Sequence, residues 1–365
     1  MSADLKTINF NAVVNDKKVT LFTIRNSHGL EAKFSNYGQH LIALWVPDKE
    51  GNREDVVLGC PSIDDYMDEK AQYLGAFIGR YANRISEAAF FIDNKMYRLQ
   101  KNNGKNHLHG GYFGFNKKVW EAEQIDDSKI QFNGISMDGD QGYPGNLETR
   151  VEYMLTEENA LQIDYWARTD KPTHVNFTNH SFFNLTGNTK NNILSHELII
   201  NADFYHPVNQ NLIPKGLAQK VKGTPFDFRT GKRIGKDILS EHDQIALCKG
   251  YDHNFVLGKE PKGKQGLRFA AKVTEPESGR VLDVFTTEPG LQLFTGNYFD
   301  GSLKGKYGKG YDPYIGFCLE TQHFPNSPNR PDFPKTLLHP DREYRSTTMY
   351  RFSTSAVSDK DKSKH

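Results

Sequence analysis

The chain is poor in cysteine, in net charge and in long apolar runs, and each shortage removes a class of protein. Its three cysteines, Cys60, Cys248 and Cys318, are far apart, odd in number and without a CxxC spacing. Neither a disulfide framework nor a thiolate zinc site follows from that pattern. Lys and Arg number 46 against 45 Asp and Glu, a formal net charge of +1. So even a balance offers no electrostatic footprint for nucleic acid or an anionic membrane, and favours a neutral small ligand. No window approaches the roughly 18 consecutive apolar residues of a membrane span. Residues 1–11 lack the apolar stretch of a secretory signal. A soluble, cytoplasmic protein is the expectation. The tripeptides starting at Asn176, Asn179 and Asn184 fit the glycosylation sequon but read here as plain polar segments.

Helical periodicity is also scarce. Short β-rich runs recur instead: Val19–Ile24, Leu41–Val46 before Pro47-Asp48, and Phe90–Ile92 and Met96–Leu99 around Asp93-Asn94-Lys95. Between Leu161 and Ala167 the residues alternate, with Leu161, Ile163, Tyr165 and Ala167 on one face. Ser278-Gly279 separates Phe269–Val273 from Val281–Thr286, a further hairpin. Only Ser62–Glu69 and Ile234–Ser240 read as short helices. Without repeat or linker, the pattern predicts an all-β protein, a large single-domain antiparallel β-sandwich over residues 1–352. The polar stretch 353–365 is expected to be a disordered tail.

Five short segments concentrate Gly, Asn, His, Arg and carboxylate within apolar surroundings: Gly79-Arg-Tyr-Ala-Asn-Arg-Ile85, Asn106-His-Leu-His-Gly-Gly111, Thr178-Asn-His-Ser-Phe-Phe-Asn-Leu185, Gly250-Tyr-Asp-His-Asn-Phe255 and Cys318-Leu-Glu-Thr-Gln322. A single His or Asn in a β protein has ordinary structural uses. Many together imply partners, because each buried unpaired polar group costs roughly 1–3 kcal/mol.

In this order the five segments resemble the signatures of the aldose 1-epimerase family. Gly142-Tyr-Pro-Gly145, Glu288-Pro-Gly-Leu-Gln292 and Thr295-Gly-Asn297 match as well, so the resemblance covers about Asn26 to Phe352. It implies a β-sandwich with an open cleft that interconverts the α and β anomers of free hexoses such as glucose and galactose. His180 is then the general acid toward the ring oxygen and Glu320 the general base toward the C1 hydroxyl. Asn83, Arg84, His109, Asp252 and Gln292 are the implied sugar contacts. No metal and no cofactor are implied, since anomer exchange needs only two proton transfers. The implied partner is an aldose, and the assembly a monomer or weak homodimer. Arg84 is expected to hold the Glu320 carboxyl acidic. Acid and base are expected on opposite sides of the sugar ring.

Four other readings stay open from the residues. His107, His109, His174, His180 and His253 can be arranged as a metal site with a carboxylate. Asp252 and Glu320 can be the carboxylate pair of a glycosidase. Trp120, Tyr143 and Trp166 can stack on sugars in a non-catalytic binding module. A hexose-6-phosphate epimerase would need extra basic residues at the cleft rim.

Overall fold

The computed structural model describes residues 7–258 and 266–355. Strands dominate, and the ladders between them are antiparallel. Nine strands form one sheet in the order Glu121–Asp126, Lys129–Ser136, Leu147–Leu155, Ala160–Thr169, Tyr344–Thr354, Arg280–Thr286, Arg268–Thr274, Glu197–Ile200, Lys232–Arg233. Facing it are a four-stranded sheet (Leu21–Arg25, Glu31–Ser35, Leu41–Pro47, Arg53–Asp55) and a five-stranded sheet. The latter runs Gln219–Lys220, Ala202–Tyr205, Asp252–Leu257, Gly290–Phe294, Cys318–Gln322. One apolar cluster draws on all three, with Phe34 and Leu44, Val151, Ile163 and Val284, and Phe255, Leu291 and Leu319 all buried. The sandwich follows from the period of two: each strand turns one set of side chains inward and the other outward.

The alternation read at residues 161–167 is present, with Leu161, Ile163, Tyr165 and Ala167 buried. In the hairpin near residue 90, Lys95 pairs with Ile92, so the turn is Asp93-Asn94 alone. Both have positive φ, +49° and +62°, the twist a two-residue hairpin requires. Three expectations shift. The first helix is only Ile63–Met67, with Ser62 as its N-cap accepting from the Asp65 N–H. Residues 234–240 hold no α-helix, only a 3₁₀ turn at Ile234–Lys236 around Gly235. A helix at Asp243–Cys248 went unread, being too short for a 3.6-residue period to show.

The final strand corrects the expected boundary of the tail. Tyr344–Thr354 lies inside the large sheet, Ser353 pairing with Val281 and Thr354 with Arg280. Residues 353 and 354 therefore belong to the sheet, while 356–365 lie outside the described residues.

Candidate active site

The five-stranded sheet has two faces, and strand register decides what each presents. Asp252, Phe294 and Cys318 stand in one row across three adjacent strands. Asn254, Gln292 and Glu320 form the next row. Their neighbours His253, Leu291, Leu293 and Leu319 turn the other way and are buried. A cleft of about 500 Å³ opens over the polar rows. Tyr73, Leu74, Phe182, Phe294, Tyr298 and Phe299 supply much of its apolar wall.

His180 enters from beside the sheet, just after the short strand Thr178–Asn179, and its backbone N–H donates to Ala76 O. The imidazole is packed between two rings. Tyr73 lies at 5.8 Å and 18°, and Phe182 at 5.1 Å and 28°. Its Nε2 is 3.7 Å from Glu320 Oε1, and its Nδ1 is 3.5 Å from Cys318 Sγ. Burial in this apolar sleeve lowers the His180 pKa to about 4.

Glu320 departs from expectation. Burial, reinforced by the nearby Asp252 charge, raises its carboxyl well above the usual range, and Arg84 opposes this without winning. Arg84 is committed elsewhere: Nη1 lies 3.9 Å from Asp252 Oδ2, and Nε donates to Asn103 Oδ1 at 3.1 Å. With a carboxyl raised and an imidazole lowered, a proton shared by the His180–Glu320 pair rests on the carboxyl rather than on the ring. Acid and base are also side by side rather than across a ring. Chemistry accounts for this, because O1 and the ring oxygen of a pyranose are bonded to the same carbon.

His109 is fixed as a donor. Its Nδ1 accepts the Asn83 backbone N–H at 3.1 Å, so the neutral ring carries its proton on Nε2. Burial, and then the neighbouring His180 and Arg84, push its pKa well below the ordinary value. The turn that places it is tight. A Cβ on Gly110 would stand 1.9 Å from Gly79 O, so only glycine fits there. Asn83 spends its side-chain oxygen on the Arg84 N–H at 2.8 Å, leaving its NH₂ end for the cleft. Gln292 donates to Asp252 Oδ1 at 2.7 Å and stands behind it rather than among the lining side chains. Gln292 Oε1 and Glu320 Oε2 are among the buried oxygens that have no partner among the described residues.

The rival readings fare differently. His109, His180 and Glu320 present ligand-type atoms within 4.8 Å of one another. Yet His109 Nε2 bears the ring's proton and has no lone pair for a cation. His107, His174 and His253 do not join the cluster: they bond to Gln100 O, Thr336 Oγ1 and Gln244 Oε1. Trp120 and Tyr143 are buried in cores, and Trp166 lies on the nine-stranded sheet. Beside Arg84, Lys70 is the basic side chain lining the cleft, and Asp300 lines it too.

Several site residues escaped the sequence reading. Cys318, Phe294 and Phe182 sit two residues from Glu320, Gln292 and His180, so strand alternation could have found them. Tyr73 and Asn103 carry no local signal. Arg80, within the first motif, is structural: buried, it donates to Ser136 O, Pro144 O and Gly145 O. That explains why the 79–85 and 142–145 segments occur together.

A sandwich whose open cleft sets a buried carboxyl beside an imidazole, ringed by groups suited to hydroxyls, defines a carbohydrate-active acid–base enzyme. The chain belongs to the aldose 1-epimerase family, an isomerase family, whose model matches residues 20–351. It is 44% identical to the galactose mutarotase of Bos taurus, over 90% of this chain and 92% of that protein. It is 40% identical to the aldose 1-epimerase of Escherichia coli (strain K12), over 91% and 94%. Among solved structures, an aldose epimerase homologue from C. elegans superposes with TM-score 0.85 at 29% identity, covering 93% of this chain and all of that one, as 100%. A galactose 1-epimerase from Lactobacillus acidophilus NCFM gives 0.82 at 31% identity, covering 94% and 97%.

Proposed function

We propose that this chain interconverts the α and β anomers of free hexoses such as glucose and galactose by opening and reclosing the hemiacetal ring. The observation that carries the reading is the 3.7 Å approach of His180 Nε2 to Glu320 Oε1 at the floor of a cleft sized for a small sugar. Transfer of the pair's proton from carboxyl to imidazole gives a carboxylate that removes the O1 proton and an imidazolium that protonates the ring oxygen. The opened aldehyde turns about C1–C2 and recloses with the roles exchanged. Each positioned transfer contributes about 10²–10⁴-fold. Nothing is oxidised and no group leaves.

The remaining assignments follow the free valences of each side chain. His109 Nε2–H and Arg84 donate toward the ring oxygen and adjacent hydroxyls. Asp252 accepts from hydroxyls, braced by Gln292, and Asn83 donates its NH₂. The unpartnered Glu320 Oε2 awaits a hydroxyl donor, since a buried acceptor without a partner is costly. A hexose 6-phosphate is disfavoured because Lys70 stands alone at the rim with Asp300 beside it. A glycosidase is disfavoured because the group nearest Glu320 is an imidazole, while Asp252 is tied to Gln292 and Arg84.

The shared apolar cluster supports one domain whose last strand ends at Thr354, and three free buried cysteines suit a reducing, cytoplasmic setting. A monomer or weak homodimer is favoured by Glu121, Glu123 and Asp126 on the sheet's outer strand, charges that discourage edge pairing. Polarimetry tests the activity: fresh α-D-glucose or α-D-galactose should reach equilibrium rotation far faster with protein than in buffer, and a His180→Asn protein should not accelerate it. Equal rates with and without the wild-type chain would reject the proposal.

A further inference from the structure

The chemistry assigned to His180 leaves one of its nitrogens unexplained. A ring that gives up its Nε2 proton must keep the other on Nδ1, and that N–H then needs an acceptor inside an apolar sleeve. Tyr73 and Phe182 cover the two faces of the ring, and the backbone oxygen it meets is His180's own carbonyl, which already accepts the Gly75 N–H. What meets Nδ1 is sulfur: Cys318 Sγ at 3.5 Å, both groups buried.

We infer that Cys318 is a positioning residue for the acid, accepting the Nδ1–H of His180 through its sulfur and thereby holding Nε2 as the nitrogen that exchanges protons with the sugar. The inference rests on the assignment of His180 as the acid. Register makes the arrangement rigid. Cys318 and Glu320 are two residues apart on one strand, so they share a face, and each addresses a different nitrogen of the same ring. Position along that strand therefore sets both ends of the imidazole at once.

Choice of sulfur has a chemical reason. An ionised carboxylate at Nδ1 would orient the ring equally well but would stabilise imidazolium and weaken it as an acid. A neutral thiol is a weak acceptor. It can take the Nδ1–H without adding charge, and burial, with Glu320 and Asp252 nearby, keeps it protonated by raising its pKa well above the ordinary thiol value. A second thiol–imidazole contact, Cys248 Sγ to His253 Nε2 at 3.8 Å, involves a histidine that does not line the cleft.

Three variants in the full chain test this: Cys318→Val, close in size but without an acceptor, Cys318→Ala, smaller and likewise without one, and Cys318→Ser, which retains one. Two readouts are needed, anomerisation kinetics and the ring-nitrogen ¹H–¹⁵N correlations of imidazole-labelled protein. Cys318→Val and Cys318→Ala should lose about tenfold in kcat with KM little changed. Their His180 signals should move from the Nδ1–H form toward a mixture of tautomers. Serine should keep the wild-type tautomer and kcat within about threefold. If valine fails to fold, the alanine–serine contrast decides. An unchanged tautomer or an unchanged kcat in the alanine protein overturns the inference, as does equal loss in alanine and serine. Full turnover by His180→Asn would instead remove the acid assignment beneath it, a distinguishable result.

Discussion

Two buried charged clusters in this molecule, equally hidden from water, are built in opposite ways. In the first, Asp55 and Lys306 meet at 2.5 Å with both side chains fully buried. Asp55 Oδ1 accepts the Leu44 and Val57 backbone N–H groups, Oδ2 accepts the Tyr307 hydroxyl, and Lys306 also donates to Ile42 O. Each charged group there is answered by several partners. In the second, His180 and Glu320 approach no closer than 3.7 Å, and Glu320 Oε2 has no hydrogen-bond partner among the described residues. Burial alone does not mark a site. An orphaned acceptor on a residue that lines an open cleft does, because a ligand entering there can complete it.

The difference predicts opposite responses to removing a charge. Glu320→Gln should lower kcat by about 10³-fold or more while leaving the melting temperature equal to or above wild type, since it relieves an unmet buried carboxyl. Polarimetric rates alongside calorimetry check both halves. Near-normal turnover would take Glu320 out of the reaction. Lys306→Met should do the reverse. It strands Asp55 in the core and should cost about 3–5 kcal/mol of stability. The chain from residue 298 to 303 that walls the cleft runs directly into Lys306, so KM should rise before the fold is lost. Denaturant unfolding of Lys306→Met against a Lys306→Met, Asp55→Asn double variant sharpens the point, because removing both charges should recover part of the loss.

A third test uses pH and touches only the incompletely paired cluster. In the proposed mechanism the His180–Glu320 pair works with one proton bound. Burial lowers the imidazole to about 4 and raises the carboxyl well above its ordinary value, so kcat/KM should be flat between the two titrations. Its acid limb, where the pair takes a second proton, should fall near pH 4 rather than near 6.5. Its alkaline limb should follow loss of the remaining proton. An acid limb near 6.5 would mean an imidazole in contact with water, contrary to the sleeve of Tyr73 and Phe182.

Much of this was legible in the residues. Alternation at 161–167 gave an inward face, and five polar segments in apolar settings marked the groups that now line or brace one cleft. Strand register explains the success: residues two apart share a face, so a short motif delivers neighbouring groups together. The Glu320 carboxyl was misread for a complementary reason. Proximity of Arg84 in the motif order suggested an acidic carboxylate, but its state depends on burial and on Asp252, neither of which a motif reports. The Asp55–Lys306 knot joins residues 251 positions apart in ordinary-looking segments, and no local pattern announces it. Tyr73 and Asn103 were missed on the same ground.

A smaller effect separates completed pairs from the catalytic one at a third place. Glu288 Oε2 and His323 Nδ1 are 2.5 Å apart, and Tyr344 donates to Glu288 Oε1 at 3.1 Å. Burial works against both charges, yet the partners prevail: His323 holds Glu288 below the ordinary carboxyl value of 4.5, and Glu288 holds His323 above the ordinary imidazole value of 6.5. The raised His323 stabilises the fold fully below 6.5 and ceases to as pH rises through its folded pKa. The lowered Glu288 stabilises it above 4.5 and ceases to as pH falls through its own folded value. Their shared contribution is therefore greatest between 4.5 and 6.5. The stability difference between wild type and His323→Gln should peak there, on the order of 1 kcal/mol, and shrink on either side. Turnover should follow a different curve, flat across that window, because the pair that stabilises and the pair that reacts titrate under separate control. A stability difference without pH dependence would mean that Glu288 and His323 are hydrogen-bonded but uncharged, and the comparison would then rest on Asp55 and Lys306 alone.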